Sequence, residues 1–165
     1  MTPSDLRDLY SAYKSVYNEN FMESFTSINE FKKLVHIFIP YCLEVLKLKT
    51  IPPIHFLTKR SNGYKILNDF GINVVDNSKF SVKYHTFGRT SSKNKILLQI
   101  QNRHPMDALR TLAHELAHYK QHMMGIQGSG DTGSPTENDA SIKASIIMRN
   151  FGDENSEYFD LPNIK

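Results

Sequence analysis

The 165-residue chain lacks several features that would place it in other classes of protein. It has one cysteine, Cys42, which excludes an internal disulfide framework and fits a reducing compartment. Its most apolar stretch, residues 34–48, is interrupted by a histidine, a proline and a glutamate, so no membrane-spanning segment is expected. The amino terminus has no basic-then-apolar signal pattern. These absences argue against a disulfide-rich secreted protein and against a membrane partner.

An excess of one charge is also lacking. The 20 basic and 17 acidic residues leave a net charge of +3, and the charges are scattered along the chain. So small an excess does not favour binding to nucleic acid or to an anionic membrane. The length fits a single domain spanning residues 1–165.

The first fifty residues predict a helical scaffold. Residues 4–20 carry an apolar face at helical spacing, and a second helix is expected to start at Ser27, which is followed three residues later by a glutamate, as in a capping box. Pro40 should kink or split this second helix. Cys42 lies on its apolar face, which favours a core position over a nucleophile.

The middle of the chain predicts a small antiparallel or mixed sheet. Residues 54–57 and 71–75 are short β-type runs. Residues 80–87 and 95–101 alternate between apolar and polar side chains, and the polar stretch 88–94 between them resembles a turn. Two alternating runs joined in this way indicate an antiparallel hairpin.

The strongest motif is His114-Glu115-x-x-His118. Residues 105–124 predict one helix, with Pro105 at its first position and Gly125 just after its end. Histidines four residues apart share a helix face and can bind one metal ion, while Glu115 can take a proton from water on that metal. The alternative is two surface histidines on an amphipathic helix.

A catalytic zinc usually has three protein ligands, so a third must be found. His122 lies two helical turns, about 12 Å, from His114 and cannot share its metal. The next helix is expected to begin at Ser134 and offers Glu137 and Asp139, which face different sides of it. Glu137 lies nearer the apolar face of that helix and is favoured, with Asp139 as the alternative.

Three stretches, residues 102–105, 110–121 and 132–138, resemble small zinc metallopeptidases of tailed bacteriophages, and more broadly the gluzincins. The resemblance covers residues 80–152 and implies an α+β zincin-like fold, with residues 80–152 as the metal-site core and 153–165 as a tail. It implies zinc as the cofactor and a place in the host cytoplasm or the virion. The family pattern has Glu-Asn-Glu-Ala where this chain has Glu-Asn-Asp-Ala, which keeps Asp139 open as a ligand.

The expected function is zinc-dependent hydrolysis of peptide bonds in a peptide or protein substrate, with Glu115 as general base. A neutral side chain should stabilise the oxyanion, and His85, His104 and Tyr119 are the candidates. The alternative is a virion or assembly protein that keeps the zincin fold without catalysis and has phage virion proteins as its partners.

Overall fold

The structure is a computed structural model that describes residues 24–58, 65–67, 72–76, 88–90, 95–126, 128, 131 and 133–165, together with residues 2, 5 and 8. The predicted helix at residues 4–20 lies outside these residues, apart from positions 5 and 8. Among the described residues, no helix combines the length and apolar character needed to cross a membrane.

Helix α1 (Ile28–Leu46) begins as predicted, because the Ser27 side chain accepts a hydrogen bond from the backbone N–H of the third helical residue. The helix continues through Pro40, so the expectation of a split is wrong. Pro40 lies on the exposed side, where water can satisfy the carbonyl that loses its helical partner. Cys42 is fully buried, and burial raises the pKa of its thiol, as expected of a core cysteine.

Five short strands form one sheet in the order β2-β3-β1-β5-β4. The central strand β1 pairs in parallel with both β3 and β5, while β2 and β4 pair antiparallel at the two edges. The strands are β1 (Ile54–Thr58), β2 (Lys65–Leu67), β3 (Ile72–Asp76), β4 (Gly88–Thr90) and β5 (Ile96–Gln99).

Of the two predicted arrangements, antiparallel or mixed, the structure shows a mixed sheet whose central pairs are parallel. The hairpin prediction needs a correction. Its second strand is β5, but the strand that pairs with it is β4, within the stretch predicted to be a turn. The predicted strand at residues 80–87 lies outside the described residues. Ile96, Leu97 and Leu98 are all buried, so β5 is covered on both faces, which is typical of a central strand with parallel pairing.

Helices α2 (Pro105–Met123) and α3 (Pro135–Glu154) carry the predicted motifs, and both have proline in the first turn. Gly125 follows α2 with φ of +73°, a conformation that favours glycine after a helix end. Gly152 lies inside α3, although glycine often marks a helix end, because the helix continues to Glu154. A Cβ at Gly152 would lie 3.0 Å from Cζ of Phe159, so a larger residue would need the Phe159 ring to shift by a few tenths of an ångström.

The carboxyl-terminal segment is fastened to the fold instead of extending as a tail. After a short 3₁₀ helix (Ser156–Asp160), the fully buried Ile164 donates its N–H to the Arg103 carbonyl, 2.8 Å away. The Thr26 N–H donates to the Asn163 carbonyl at 2.9 Å. The segment therefore joins the start of α1 to the residues that precede α2.

Helices α1, α2 and α3 and the sheet share one hydrophobic core. Phe151 of α3 contacts two α1 rings edge-on, with centroids 5.2 Å from Phe38 and 5.4 Å from Tyr41. Helix α2 packs against α3, α1 and strands β4 and β5. Because α2 contacts both the sheet and α3, these contacts determine which side of α2 faces α3. The fully buried side chains that line this core include Phe31, Phe38, Ile54, Phe56, Ile96, Leu98, Leu109, Leu112, Leu116, Ile147 and Phe151.

Candidate metal centre

Two helices bring three potential ligands together. His114 and His118 lie one turn apart on α2, and Glu137 lies in the first turn of α3. The rotation of α2 about its axis is fixed by fully buried leucines on its core-facing side, and α3 approaches closely because small side chains face the core. These anchoring residues are Leu109, Leu112 and Leu116 on α2, and Ala140 and Ala144 on α3.

The ligand atoms lie close to one another. Nε2 of His114 is 3.0 Å from Oε2 of Glu137, and Nε2 of His118 is 2.8 Å from Oε1 of the same carboxylate. The two Nε2 atoms are 3.1 Å apart. Tetrahedral zinc with bonds of about 2.0–2.1 Å separates its ligand atoms by about 3.3 Å. The observed spacings fall a few tenths of an ångström short of that, so the three side chains form a group that could bind a metal ion.

Of the two candidate carboxylates, Glu137 and Asp139, it is Glu137 that lies beside the two histidines. Asp139 is directed elsewhere: its Oδ2 accepts from Gln121 Nε2 at 3.0 Å, and its Oδ1 lies 3.5 Å from Lys143 Nζ. Ser134 caps α3 without drawing Glu137 away from the site. The backbone N–H of Glu137 donates to Ser134 Oγ at 3.3 Å, while the Glu137 side chain points toward the histidines.

The site is accessible to solvent without being fully exposed. The side chains of His114, His118 and Glu137 are 24%, 14% and 23% exposed. A water molecule or a substrate can therefore reach the group, whereas the protein covers most of each ligand. Partial burial also lowers the local dielectric screening, which strengthens the attraction between a bound cation and the Glu137 carboxylate.

The other residues predicted for the site occupy different positions. Glu115 is buried, with 8% of its surface exposed. His104 caps α2: its Nδ1 accepts from the Met106 N–H at 3.0 Å, and its Nε2 donates to the Phe159 carbonyl at 3.1 Å. Both ring nitrogens are thus engaged in holding the fold, which leaves His104 no donor for an oxyanion. His85 lies outside the described residues, and Tyr119 is partly buried against the core.

One residue of the site was missed by reasoning from sequence. Gln121 is 5% exposed, and its Oε1 lies 2.8 Å from Nδ1 of His118. Its Nε2 donates to the Thr136 carbonyl at 2.9 Å and to Asp139. The available signal was its spacing, since residues three apart on a helix are neighbours, which places Gln121 beside His118.

Comparisons of the chain with protein-family models, with curated proteins and with solved structures gave no match.

Proposed function

We propose that the chain is a zinc-dependent peptidase. The observation that carries the proposal is the convergence of two histidine Nε2 atoms and one glutamate carboxylate within 2.8–3.1 Å at a solvent-accessible position. Two histidines and a glutamate are one of the ligand sets that hold catalytic zinc while leaving a position open for water. The phage metallopeptidase resemblance of residues 80–152 points to the same activity.

Within this proposal, His114, His118 and Glu137 hold the metal. Bound zinc supplies a Lewis acid that polarises a scissile carbonyl and lowers the pKa of an attacking water toward about 7. Glu115 follows His114 directly in the HExxH helix and acts as general base. Its carboxylate takes a proton from the attacking water and returns that proton to the nitrogen of the leaving amine.

The substrate class that we propose is a peptide or protein with an amide bond within reach of the site. An amide is cleaved when water attacks its carbonyl carbon. This attack needs a Lewis acid that polarises the carbonyl, a base for the water and a proton donor for the departing nitrogen. A metal held by His114, His118 and Glu137 would supply the first, and Glu115 would supply the other two. Both protein substrates and the peptide portion of cell-wall fragments offer such a bond, and the source suggested by the resemblance is a tailed phage.

The proposal is tested by screening the purified protein against peptide libraries and cell-wall fragments. Cleavage should stop when a chelator is added and return when zinc is restored. Glu115→Gln should retain zinc and lower the rate by about 10²–10⁴-fold, because the base is lost and the ligands are kept. Cleavage that survives the chelator, or a native rate in Glu115→Gln, would contradict the proposal. Zinc binding with no cleavage of any substrate would favour a non-catalytic virion or assembly role.

A further inference from the structure

The amide of Gln121 has only one orientation that its surroundings accept. Two acceptor oxygens, the Thr136 carbonyl at 2.9 Å and Asp139 Oδ2 at 3.0 Å, lie on one side of the amide. A backbone carbonyl can only accept a hydrogen bond, and so can an ionised carboxylate, so the NH₂ group of Gln121 must face them. Because Gln121 is 5% exposed, little water is available to stabilise the reversed orientation.

This orientation determines which nitrogen of His118 carries hydrogen. The amide oxygen of Gln121 faces Nδ1 of His118 at 2.8 Å, and an amide oxygen can only accept. Nδ1 of His118 must therefore be the donor. A neutral imidazole has one N–H, so Nε2 presents its lone pair. This Nε2 atom lies 2.8 Å from Oε1 of Glu137 and 3.1 Å from Nε2 of His114.

We propose that Gln121 is a positioning residue of the metal centre: anchored by Asp139 and the Thr136 carbonyl, it holds neutral His118 in the tautomer whose Nε2 can bind metal. This inference rests on the proposed function and deepens it. It also gives Asp139 a role outside the ligand set, in orienting the amide. The hydrogen bonds of Gln121 link α2 to the first turn of α3. The contacts that join the two helices therefore also orient His118.

A purely structural Gln121 would differ from a positioning one in what its loss changes. Replacing Gln121 with methionine keeps the side-chain length and removes both the donor and the acceptor. If Gln121 only ties the helices together, Gln121→Met lowers stability and leaves the metal affinity of the folded protein unchanged. If it positions His118, zinc affinity falls by about 10–100-fold, the range found for hydrogen-bond partners of metal-binding histidines.

The experiment measures zinc affinity by competition with a chromophoric chelator, together with the tautomer of His118 by nitrogen-15 NMR. His122→Gln is the matched control, because His122 is the exposed neighbour of Gln121 and should leave affinity unchanged. Circular dichroism of each variant confirms that the affinity refers to folded protein.

The NMR measurement keeps the inference testable even if Gln121→Met fails to fold. In the wild-type protein without metal, at a pH where the ring is neutral, the spectrum should show hydrogen on Nδ1 of His118. Hydrogen on Nε2 would overturn the inference, as would an unchanged zinc affinity in folded Gln121→Met. Failure of the wild type to bind zinc would instead overturn the proposed function, and the tautomer would still be measurable.

Discussion

Two histidines of helix α2, His104 at its start and His118 near its end, meet different partners. The ring nitrogens of His104 face one donor, the Met106 N–H, and one acceptor, the Phe159 carbonyl. A neutral imidazole offers one acceptor and one donor, so His104 is satisfied by the protein alone. At His118, Nδ1 faces the amide oxygen of Gln121, while Nε2 faces the Glu137 carboxylate.

The remaining nitrogen of His118, Nε2, faces the other two members of the candidate metal group. Its Nε2 lies within 3.1 Å of a carboxylate oxygen and of Nε2 of His114. A metal ion between these atoms would be attracted by the carboxylate and could accept the lone pairs of both nitrogens. The comparison therefore separates a histidine that completes the fold from one in a group that could bind a metal ion, and the predictions below test that separation.

The largest expected effect concerns the two acids of α3. Glu137→Ala removes a proposed ligand and should weaken zinc binding by more than about 100-fold, beyond the usual range for residues that only hydrogen-bond to a ligand. Asp139→Ala removes one of the two acceptors that anchor Gln121, and the loss of zinc affinity should stay within about 10-fold because the Thr136 carbonyl still holds the amide. Chelator competition measures both. A greater loss at Asp139 than at Glu137 would show that the ligands are misassigned.

A second prediction compares His118 and His104 through stability. Zinc that binds only the folded chain should raise its free energy of unfolding by about 2.7 kcal/mol at a free concentration 100 times the Kd. Thermal unfolding with and without zinc should show this gain in the wild type and in His104→Ala. His118→Ala should lose the gain. If His104→Ala loses it as well, the two histidines are not functionally distinct.

The smallest expected effect is at the helix cap. His104→Ala removes the acceptor for the Met106 N–H and should lower the free energy of unfolding by about 1 kcal/mol. His104→Asn supplies a preferred capping side chain and should recover part of that loss. Denaturant unfolding of the three proteins without metal checks the order. A stability of His104→Asn below that of His104→Ala would argue against the capping role.

Local signals in the sequence were sufficient to place the helices of the site. Pro105 and Pro135 mark first turns, and Gly125 marks a helix end, because each has a backbone preference that acts without tertiary context. The approach of Glu137 to the histidines was predictable for a related reason. Helical phase relative to the apolar face decides which of two acids two positions apart turns toward the neighbouring helix.

Features that depend on distant contacts were not predictable in this way. The alternation of residues 95–101 indicated a strand but could not show that β5 pairs in parallel with β1, since pairing depends on chain segments far apart in sequence. A glycine near the end of a helical segment suggests that the helix stops there. Gly152 instead lies inside α3, where the lack of a side chain makes room for Phe159. The tautomer of His118 depends on Gln121, Thr136 and Asp139 together, which only the packing of α2 on α3 brings into contact.

The central claim is that His114, His118 and Glu137 bind one zinc ion. Elemental analysis of protein purified without added metal, with His118→Ala and His104→Ala prepared in parallel, tests it most directly. We expect about one zinc per chain in the wild type and in His104→Ala, and close to none in His118→Ala. Equal zinc in all three proteins, or none in the wild type even after incubation with zinc, would contradict the assignment.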